Sequence, residues 1–167
     1  SGLPLVYAPL LGGQDEVIFE GRSFALNAQG ETVARAEGFR EADLAVQTSV
    51  GQQGVDLSAA PEALVPMASA DAELWDALVL GVRDYLGKNG FKGAILGLSG
   101  GIDSALVLAI AVDAIGADKI HAVMMPSPYT ADISWIDSRD MVKRLGVRYD
   151  EISIAPLFDG FKLALSA

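Results

Sequence analysis

The sequence of 167 residues carries 12 basic and 22 acidic side chains, so its formal net charge is −10 at pH 7. This balance disfavours electrostatic capture of nucleic acid, because that capture depends on lysine and arginine neutralising phosphates. Apolar residues make up 51% of the chain, which is ample for a core, yet no apolar run is long enough to cross a membrane. Cysteine is absent, which excludes disulfides, thiolate metal sites and cysteine nucleophiles within the chain. With no leader pattern visible, we expect a cytoplasmic protein without a nucleic-acid or membrane partner.

The first part of the chain has the pattern of short β-strands. Strands are predicted at residues 3–8, 16–19, 23–26, 32–36 and 43–47. A small number of short strands cannot bury both faces of a sheet. We therefore expect another layer to cover them. Residues 47–70 show no sustained periodicity of apolar residues and contain many Gly, Pro, Ser and Ala residues. This composition predicts a connector between two domains.

From residue 71 the pattern changes to alternating helices and strands. Asp71 is the predicted N-cap of an amphipathic helix that Gly90 ends. Further elements are predicted at 93–97 (strand), 103–115 (helix), 120–125 (strand), 132–145 (helix) and 147–154 (strand), with a last helix opened by Pro156. This alternation with apolar strands indicates an α/β fold, a doubly wound parallel sheet covered on both faces. Right-handed crossovers then place the carboxyl ends of the strands at one edge of the sheet.

A glycine-rich segment joins the first parallel strand to the following helix. Its residues are Gly97, Leu98, Ser99, Gly100, Gly101, Ile102, Asp103 and Ser104. Free backbone N–H groups and the positive end of the helix dipole converge at such a junction, and paired glycines admit phosphate oxygens closely. The segment is neither a Walker A loop nor a G-x-G-x-x-G turn. It therefore predicts a phosphate site of another kind.

Asp103 places a negatively charged carboxylate at the predicted phosphate site. A divalent cation between the carboxylate and the phosphate oxygens would cancel their repulsion, which makes Asp103 a candidate Mg²⁺ ligand. The alternative is that Asp103 only complements the helix dipole.

At these residues the sequence resembles the pyrophosphate-loop (N-type) ATP pyrophosphatases, whose motif is S-G-G-x-D-S. The run Met125-Pro126-Ser127-Pro128-Tyr129-Thr130, followed by Ser134 and Asp137, resembles the M-P-S-x-Y segment of NAD synthetases. The run 12–17, with Phe19, Gly21 and Ser23, resembles the late part of the nitrilase-like glutaminase domain of glutamine-dependent NAD synthetases. The resemblance implies three parts: 1–46 from an α+β nitrilase-like sandwich, the linker 47–70, and 71–167 from the synthetase domain, which is of the adenine nucleotide α hydrolase type.

The resemblance also implies a chemistry. Residues 97–104 would bind ATP, Asp103 would help to hold Mg²⁺, and nicotinic acid adenine dinucleotide would be adenylated and then amidated to NAD with ammonia from glutamine. Residues after the second parallel strand line the adenine and ribose pocket in that family, which adds Met124, Met125 and Ser127; buried core methionines are the alternative. The family also implies a homo-oligomer.

One departure from the family limits what this chain does alone. The glutaminase triad of Glu, Lys and Cys lies upstream of the matching segment, and this chain has no cysteine. The sequence therefore predicts no catalytic residue within the segment, which we expect to be inactive by itself. Another pyrophosphate-loop amidotransferase, a tRNA-modifying enzyme and a non-catalytic ATP-binding module are the alternative functions.

A few polar residues outside the loop also have more than one interpretation. His121, the only histidine, lies in an apolar strand, which is typical of a hydrogen-bonded core or edge residue. Gln14, Asp15 and Glu16 follow a Gly-Gly pair and support a glutamine pocket, face the synthetase domain, or form an exposed hairpin loop.

Overall fold

A computed structural model describes residues 2–52, 54–60 and 64–166 of the chain. The chain divides into two compact units, Ser1–Tyr85, here called the β-rich unit, and Leu86–Ala167, here called the α/β unit. Among the described residues, no helix combines the length and apolarity that a membrane span requires.

The β-rich unit consists of short antiparallel strands. They are β1 (Leu5–Tyr7), β2 (Leu11–Gln14), β3 (Val17–Glu20), β4 (Phe24–Leu26), β5 (Thr32–Arg35), β6 (Val46–Gly51) and β7 (Gly54–Ala59). The strands pair as a sheet in the order β1-β4-β5 and as the hairpins β2-β3 and β6-β7. The strands predicted at 3–8, 23–26 and 32–36 are confirmed with slightly shorter limits, and the strand predicted at 16–19 is shifted by one residue to 17–20. The strand predicted at 43–47 is wrong at its start, because β6 begins at Val46 and continues to Gly51.

The predicted connector contains a hairpin that the sequence analysis did not anticipate. Strands β6 and β7 pair in continuous register from Val46↔Ala59 to Gly51↔Gly54, and Gly54 has a φ of 112° that favours glycine. Leu57 is 8% exposed and packs with Ala25 and Ala34, which are fully buried. The hairpin therefore belongs to the core of the β-rich unit. Residues 53 and 61–63 of the predicted connector lie outside the described residues, and the domain limits remain a prediction.

Helix α1 (Ala70–Lys88) follows this hairpin along the chain. The predicted N-cap was wrong, because the Ser69 hydroxyl accepts the backbone N–H of Ala72 at 3.3 Å and Asp71 lies inside the first turn. Ser69 therefore caps the helix, while Asp71 complements the positive end of its dipole. The helix ends before Gly90, which has a φ of 73°.

The α/β unit has the predicted α/β fold with a parallel sheet. Its elements are β8 (Ala94–Gly97), α2 (Ile102–Ile115), a 3₁₀ turn (Ala117–Lys119), β9 (Ile120–Met124), α3 (Asp132–Leu145), β10 (Arg148–Glu151) and α4 (Ala155–Leu165). The strands are parallel in the order β10-β9-β8. Each predicted strand and helix of this region is present, and the carboxyl ends of the strands share one edge.

The core of this unit lies between the sheet and the pair of helices α2 and α3. Leu108 of α2 and Ala122 of β9 are fully buried, and Val142 of α3 completes the same cluster. The predicted coverage of both sheet faces is confirmed for one face only, since Ile95 on the other face is 77% exposed. The strand order runs in one direction, so successive right-handed crossovers place α2 and α3 on the same side.

Candidate functional site: the glycine-rich loop of the α/β unit

The glycine-rich segment lies at the carboxyl edge of the parallel sheet, as the sequence predicted. Strand β8 ends at Gly97, and helix α2 begins at Ile102. Leu98 is 3% exposed, and its backbone N–H donates to the carbonyl oxygen of Val123 at 2.9 Å. The start of the loop is therefore fixed to the sheet core. Ligands of open α/β sheets bind at this edge.

Gly100 is required by the backbone and by a neighbouring helix together. Its φ of 78° lies in the left-handed region, and an added Cβ would lie 2.5 Å from both the Cα and the carbonyl oxygen of Ser134. Ser134 belongs to the first turn of α3. The loop thus touches backbone that follows the next parallel strand, a contact that leaves no room for any side chain.

Two serines brace the loop across its ends. The Ser99 backbone N–H donates to Ser104 Oγ at 3.2 Å, and the two hydroxyl oxygens are 3.0 Å apart. Ser99 Oγ accepts the Gly101 N–H at 3.2 Å, while Ser104 Oγ donates to the Gly101 carbonyl at 3.0 Å. These hydrogen bonds of the two hydroxyls hold the turn in shape.

The start of α2 has the geometry of an anion site. Gly101 is the N-cap with extended backbone, and it has no capping side chain. The first N–H inside the helix to find an intrahelical acceptor is that of Ala105, which donates to the Gly101 carbonyl at 3.1 Å. The N–H groups of Ile102, Asp103 and Ser104 therefore precede the helical hydrogen-bond ladder and, with the dipole, favour a bound anion.

Asp103 lies exposed in the first turn of α2, beside these N–H groups. The described residues contain no cluster of three or more acidic or histidine side chains that could hold a metal ion. Mg²⁺ commonly binds through one or two carboxylates together with substrate phosphates and water. One exposed carboxylate at the mouth of a phosphate-type loop therefore fits a cation that a nucleotide brings with it.

The three residues predicted beyond β9 have different environments. Met124 is 2% exposed, and its sulfur accepts the hydroxyl of Tyr149 at 3.4 Å, so its side chain belongs to the core. Met125 is 54% exposed, and its Cε lies 3.5 Å from the position of a Cβ on Gly97. Ser127 accepts the N–H of Tyr129 and so shapes the turn after the strand. Of the two methionine side chains, only that of Met125 faces outward beside the loop.

Sequence reasoning missed an ion pair at the same end of the sheet. Arg139 of α3 donates to both carboxylate oxygens of Glu151, from Nε at 2.7 Å and from Nη2 at 2.9 Å. The hydrogen bond from Arg139 lowers the pKa of Glu151. Burial, with a hydrogen bond to Glu151, raises the pKa of Tyr149 to about 12. The available signal was a carboxylate at the end of a predicted parallel strand, but its partner Arg139 lies in a helix, and no sequence pattern pairs the two residues.

The other polar candidate residues have local partners or local roles. His121 Nε2 lies 2.6 Å from Asp150 Oδ2 on the neighbouring strand, which is the arrangement of a hydrogen-bonded structural histidine in the central strand β9. Gln14, Asp15 and Glu16 are exposed at the turn of the β2-β3 hairpin, where Asp15 has a φ of 52°. These three residues therefore form an exposed hairpin loop.

A parallel α/β sheet with a glycine-rich loop at its carboxyl edge is typical of nucleotide-binding domains, and comparison with known proteins identifies the family. The family model for NAD synthase matches residues 74–166. The match covers more than half of the chain, which therefore belongs to the NAD synthase family.

Relatives of known name agree with this assignment. The chain is 47% identical to the glutamine-dependent NAD(+) synthetase of Synechocystis sp., over 98% of this chain and 29% of that protein. It is 45% identical to the enzyme of the same name from Rhodobacter capsulatus, over 92% of this chain and 28% of that protein. The structure of glutamine-dependent NAD+ synthetase from Acinetobacter baumannii in complex with ADP superimposes with a TM-score of 0.91 at 41% identity, over 98% of this chain and 30% of that one. The chain thus spans about 30% of the length of these relatives.

Proposed function

We propose that this chain is the ATP-binding part of a glutamine-dependent NAD synthetase. The observation that carries the proposal is the loop 97–104, which presents backbone N–H groups and an exposed carboxylate at the carboxyl edge of a parallel sheet. The ADP complex of the Acinetobacter baumannii relative supports a nucleotide as the ligand. In this proposal residues 97–104 hold the phosphates of ATP, and Met125 and Ser127 contact its nucleoside. Met124 supports them from the core.

The proposed reaction has two steps. A carboxylate oxygen of nicotinic acid adenine dinucleotide attacks the α-phosphorus of ATP, and the bond from that phosphorus to the bridging oxygen breaks and releases pyrophosphate. Ammonia then attacks the carbonyl carbon of the adenylate, loses a proton, and displaces AMP to leave the amide of NAD. Neither step needs a nucleophilic side chain. The loop N–H groups and the α2 dipole stabilise negative charge that develops on the phosphates.

Asp103 is the proposed protein ligand of Mg²⁺ at this site. When bound, the cation would neutralise phosphate charge and polarise the phosphoryl oxygens. The carboxylate of Asp103 lies at the helix start, where it would hold that cation near the loop without occupying the N–H groups that bind the anion.

The source of ammonia lies outside the chain in this proposal. Glutamine hydrolysis of the nitrilase type needs a cysteine, and the chain has none. The residues 1–46 would then be part of the glutaminase domain and would supply none of its catalytic groups. The proposed protein is a cytoplasmic homo-oligomer that acts on small molecules and not on nucleic acid or a membrane.

The test is ATP–pyrophosphate exchange by the full-length protein. Labelled pyrophosphate should enter ATP only when nicotinic acid adenine dinucleotide is present, because adenylation of its carboxylate is the reversible first step. Ammonia and glutamine are left out, so the second step does not consume the adenylate. The Gly100→Ala protein serves as the comparison and should exchange slowly. ATP binding without exchange would contradict the proposal and would favour a non-catalytic nucleotide-binding module.

A further inference from the structure

Helix α1 belongs by sequence to the NAD synthase match but packs on the β-rich unit. The family match begins at residue 74, inside α1. The compact β-rich unit nevertheless extends to Tyr85 and includes most of the helix. The residues of α1 that make this contact therefore join a segment of the NAD synthase match to the strands of the β-rich unit.

The C-terminal half of α1 approaches the β2-β3 hairpin at backbone distance. The Gly13 N–H donates to Asp84 Oδ2 at 2.8 Å. An added Cβ on Gly13 would lie 3.3 Å from Asp84 Cβ and 3.6 Å from Gly81 Cα. An added Cβ on Gly81 would lie 2.8 Å from Ile18 Cδ1. Glycine on both partners thus allows the helix and the hairpin to come this close.

The N-terminal half of α1 is held by an ion pair. Arg22 Nη1 lies 2.7 Å from Glu73 Oε1, and the Arg22 side chain is only 11% exposed. Arg22 also fits against Gly38, where an added Cβ would lie 2.5 Å from Arg22 Nη2. The guanidinium therefore has a fixed position from which it holds the first turns of the helix.

These contacts lie on one face of the helix. Residues 73, 77, 81 and 84 are three or four positions apart, so they lie in one stripe along the helix. Ala77 and Ile18 line the same cleft of about 580 Å³. We call this stripe of Glu73, Ala77, Gly81 and Asp84 the docking face of α1.

We infer that the docking face is a positioning element that couples glutamine hydrolysis to amide formation. This inference rests on the proposed function. Helix α1 ends at Lys88, shortly before β8, and β8 leads directly into the loop that would hold ATP. Ammonia released from glutamine reaches the adenylate efficiently only if the two parts of the protein keep a fixed arrangement. Free ammonium enters from solution and does not need that arrangement.

The experiment compares two leucine substitutions in the same helix of the full-length protein. Gly81→Leu places a branched side chain against Ile18, whereas Gly87→Leu adds it where a Cβ meets nothing within 4 Å. Three rates are measured for each protein: NAD formed from glutamine, NAD formed from ammonium chloride, and glutamate released. Thermal unfolding of both proteins is recorded alongside.

In Gly81→Leu, NAD formation from glutamine should fall by about tenfold or more, because small displacements far from the reacting atoms can cost up to about a hundredfold. NAD formation from ammonium should stay within about twofold of the wild type, and more glutamate should be released for each NAD formed. Gly87→Leu should match the wild type in all three rates. If Gly81→Leu does not fold, Asp84→Ala removes the acceptor of the Gly13 N–H without adding volume and should give the same pattern more weakly.

Equal losses from glutamine and from ammonium in a folded variant would overturn the inference, since α1 would then have only a structural role. Unchanged rates in both Gly81→Leu and Asp84→Ala would overturn it as well. A wild-type protein that forms no NAD from either nitrogen source would instead contradict the proposed function.

Discussion

The conformation of Gly100 is the residue-scale feature on which the candidate site depends most. From the sequence, the paired glycines were predicted to admit phosphate oxygens. The structure adds a reason that no local pattern contains, because Ser134 lies against Gly100 from a helix that follows the next strand. The type of residue was predictable from the loop motif, whereas the contact that enforces it was not.

Gly100→Ala should lower both stability and nucleotide affinity. A residue with a Cβ in a sparsely populated region of backbone space costs about 1–3 kcal/mol, and the contact with Ser134 adds to that cost. Urea unfolding and ATP titration of the full-length protein measure the two effects. Gly146→Ala is the matched control, because Gly146 has a φ of 68° but a Cβ there meets nothing within 4 Å. Equal destabilisation by both substitutions would contradict the role given to Ser134.

Asp103 either binds a metal ion or only stabilises the positive end of the α2 dipole. If Asp103 holds Mg²⁺, Asp103→Asn should remove the magnesium dependence of ATP binding, because the amide keeps the shape but loses the charge. Calorimetric titration of ATP with and without Mg²⁺ measures this. Asp132→Asn, in the first turn of α3, is the control for a helix-dipole effect alone. If ATP binding by Asp103→Asn keeps the magnesium dependence of the wild type, Asp103 is not the ligand.

At the scale of elements, periodicity predicted the α/β unit well and the β-rich unit in part. Strands such as β9 are buried and apolar, so their signal survives in a single sequence. The β6-β7 hairpin gave little signal because most of its side chains face solvent, including Val50, which is 80% exposed. Its stability depends on Leu57 reaching a core formed by distant strands.

The ion pair between α3 and β10 makes a prediction about pH. Glu151 has a pKa below its ordinary value of 4.5 because of Arg139, so the pair stabilises the fold above that value. This stabilisation should be lost as the pH falls from 4.5 through the lowered pKa of the folded state. Glu151→Gln should therefore destabilise the protein at neutral pH and lose most of its effect in acid. Urea unfolding across this range measures it.

Asp140→Asn is the matched comparison for Glu151→Gln. Asp140 pairs with Arg144 one turn further along α3, and both side chains of this pair are exposed. A local pair of this kind contributes little to stability. If the two substitutions show the same pH dependence of unfolding, the pair between Arg139 and Glu151 does not act as a clamp between elements.

At the scale of the whole molecule, the family was predictable from the S-G-G-x-D-S motif, the M-P-S-x-Y segment and the run 12–17, and the family match confirms it. The extent of the covered sheet was not predictable in the same way. A parallel sheet with apolar strands is expected to be covered on both faces. Ile95 and α4 residues such as Phe161 are instead more than two-thirds exposed in this chain. The chain spans about 30% of its relatives, and helix and strand patterns do not show which part of a longer protein covers a surface.

The isolated chain should make no NAD from glutamine and none from ammonium. It lacks a cysteine for glutamine hydrolysis, and since it spans about 30% of its relatives, most of the pocket for nicotinic acid adenine dinucleotide would come from the rest of the protein. The expected loss is complete for both nitrogen sources, while the full-length protein should be active with either. Product formation is measured by chromatography with each source. NAD formation by the isolated chain would contradict the division of labour proposed here.

The most direct test of the central claim follows an oxygen atom. The full-length protein is given ATP, ammonium and nicotinic acid adenine dinucleotide that carries oxygen-18 in its carboxylate. If that carboxylate attacks the α-phosphorus of ATP bound at residues 97–104, one labelled oxygen should leave with AMP, as mass spectrometry of the nucleotide would show. Label in pyrophosphate or inorganic phosphate, or AMP without label while NAD accumulates, would contradict the adenylate and with it the role assigned to the loop.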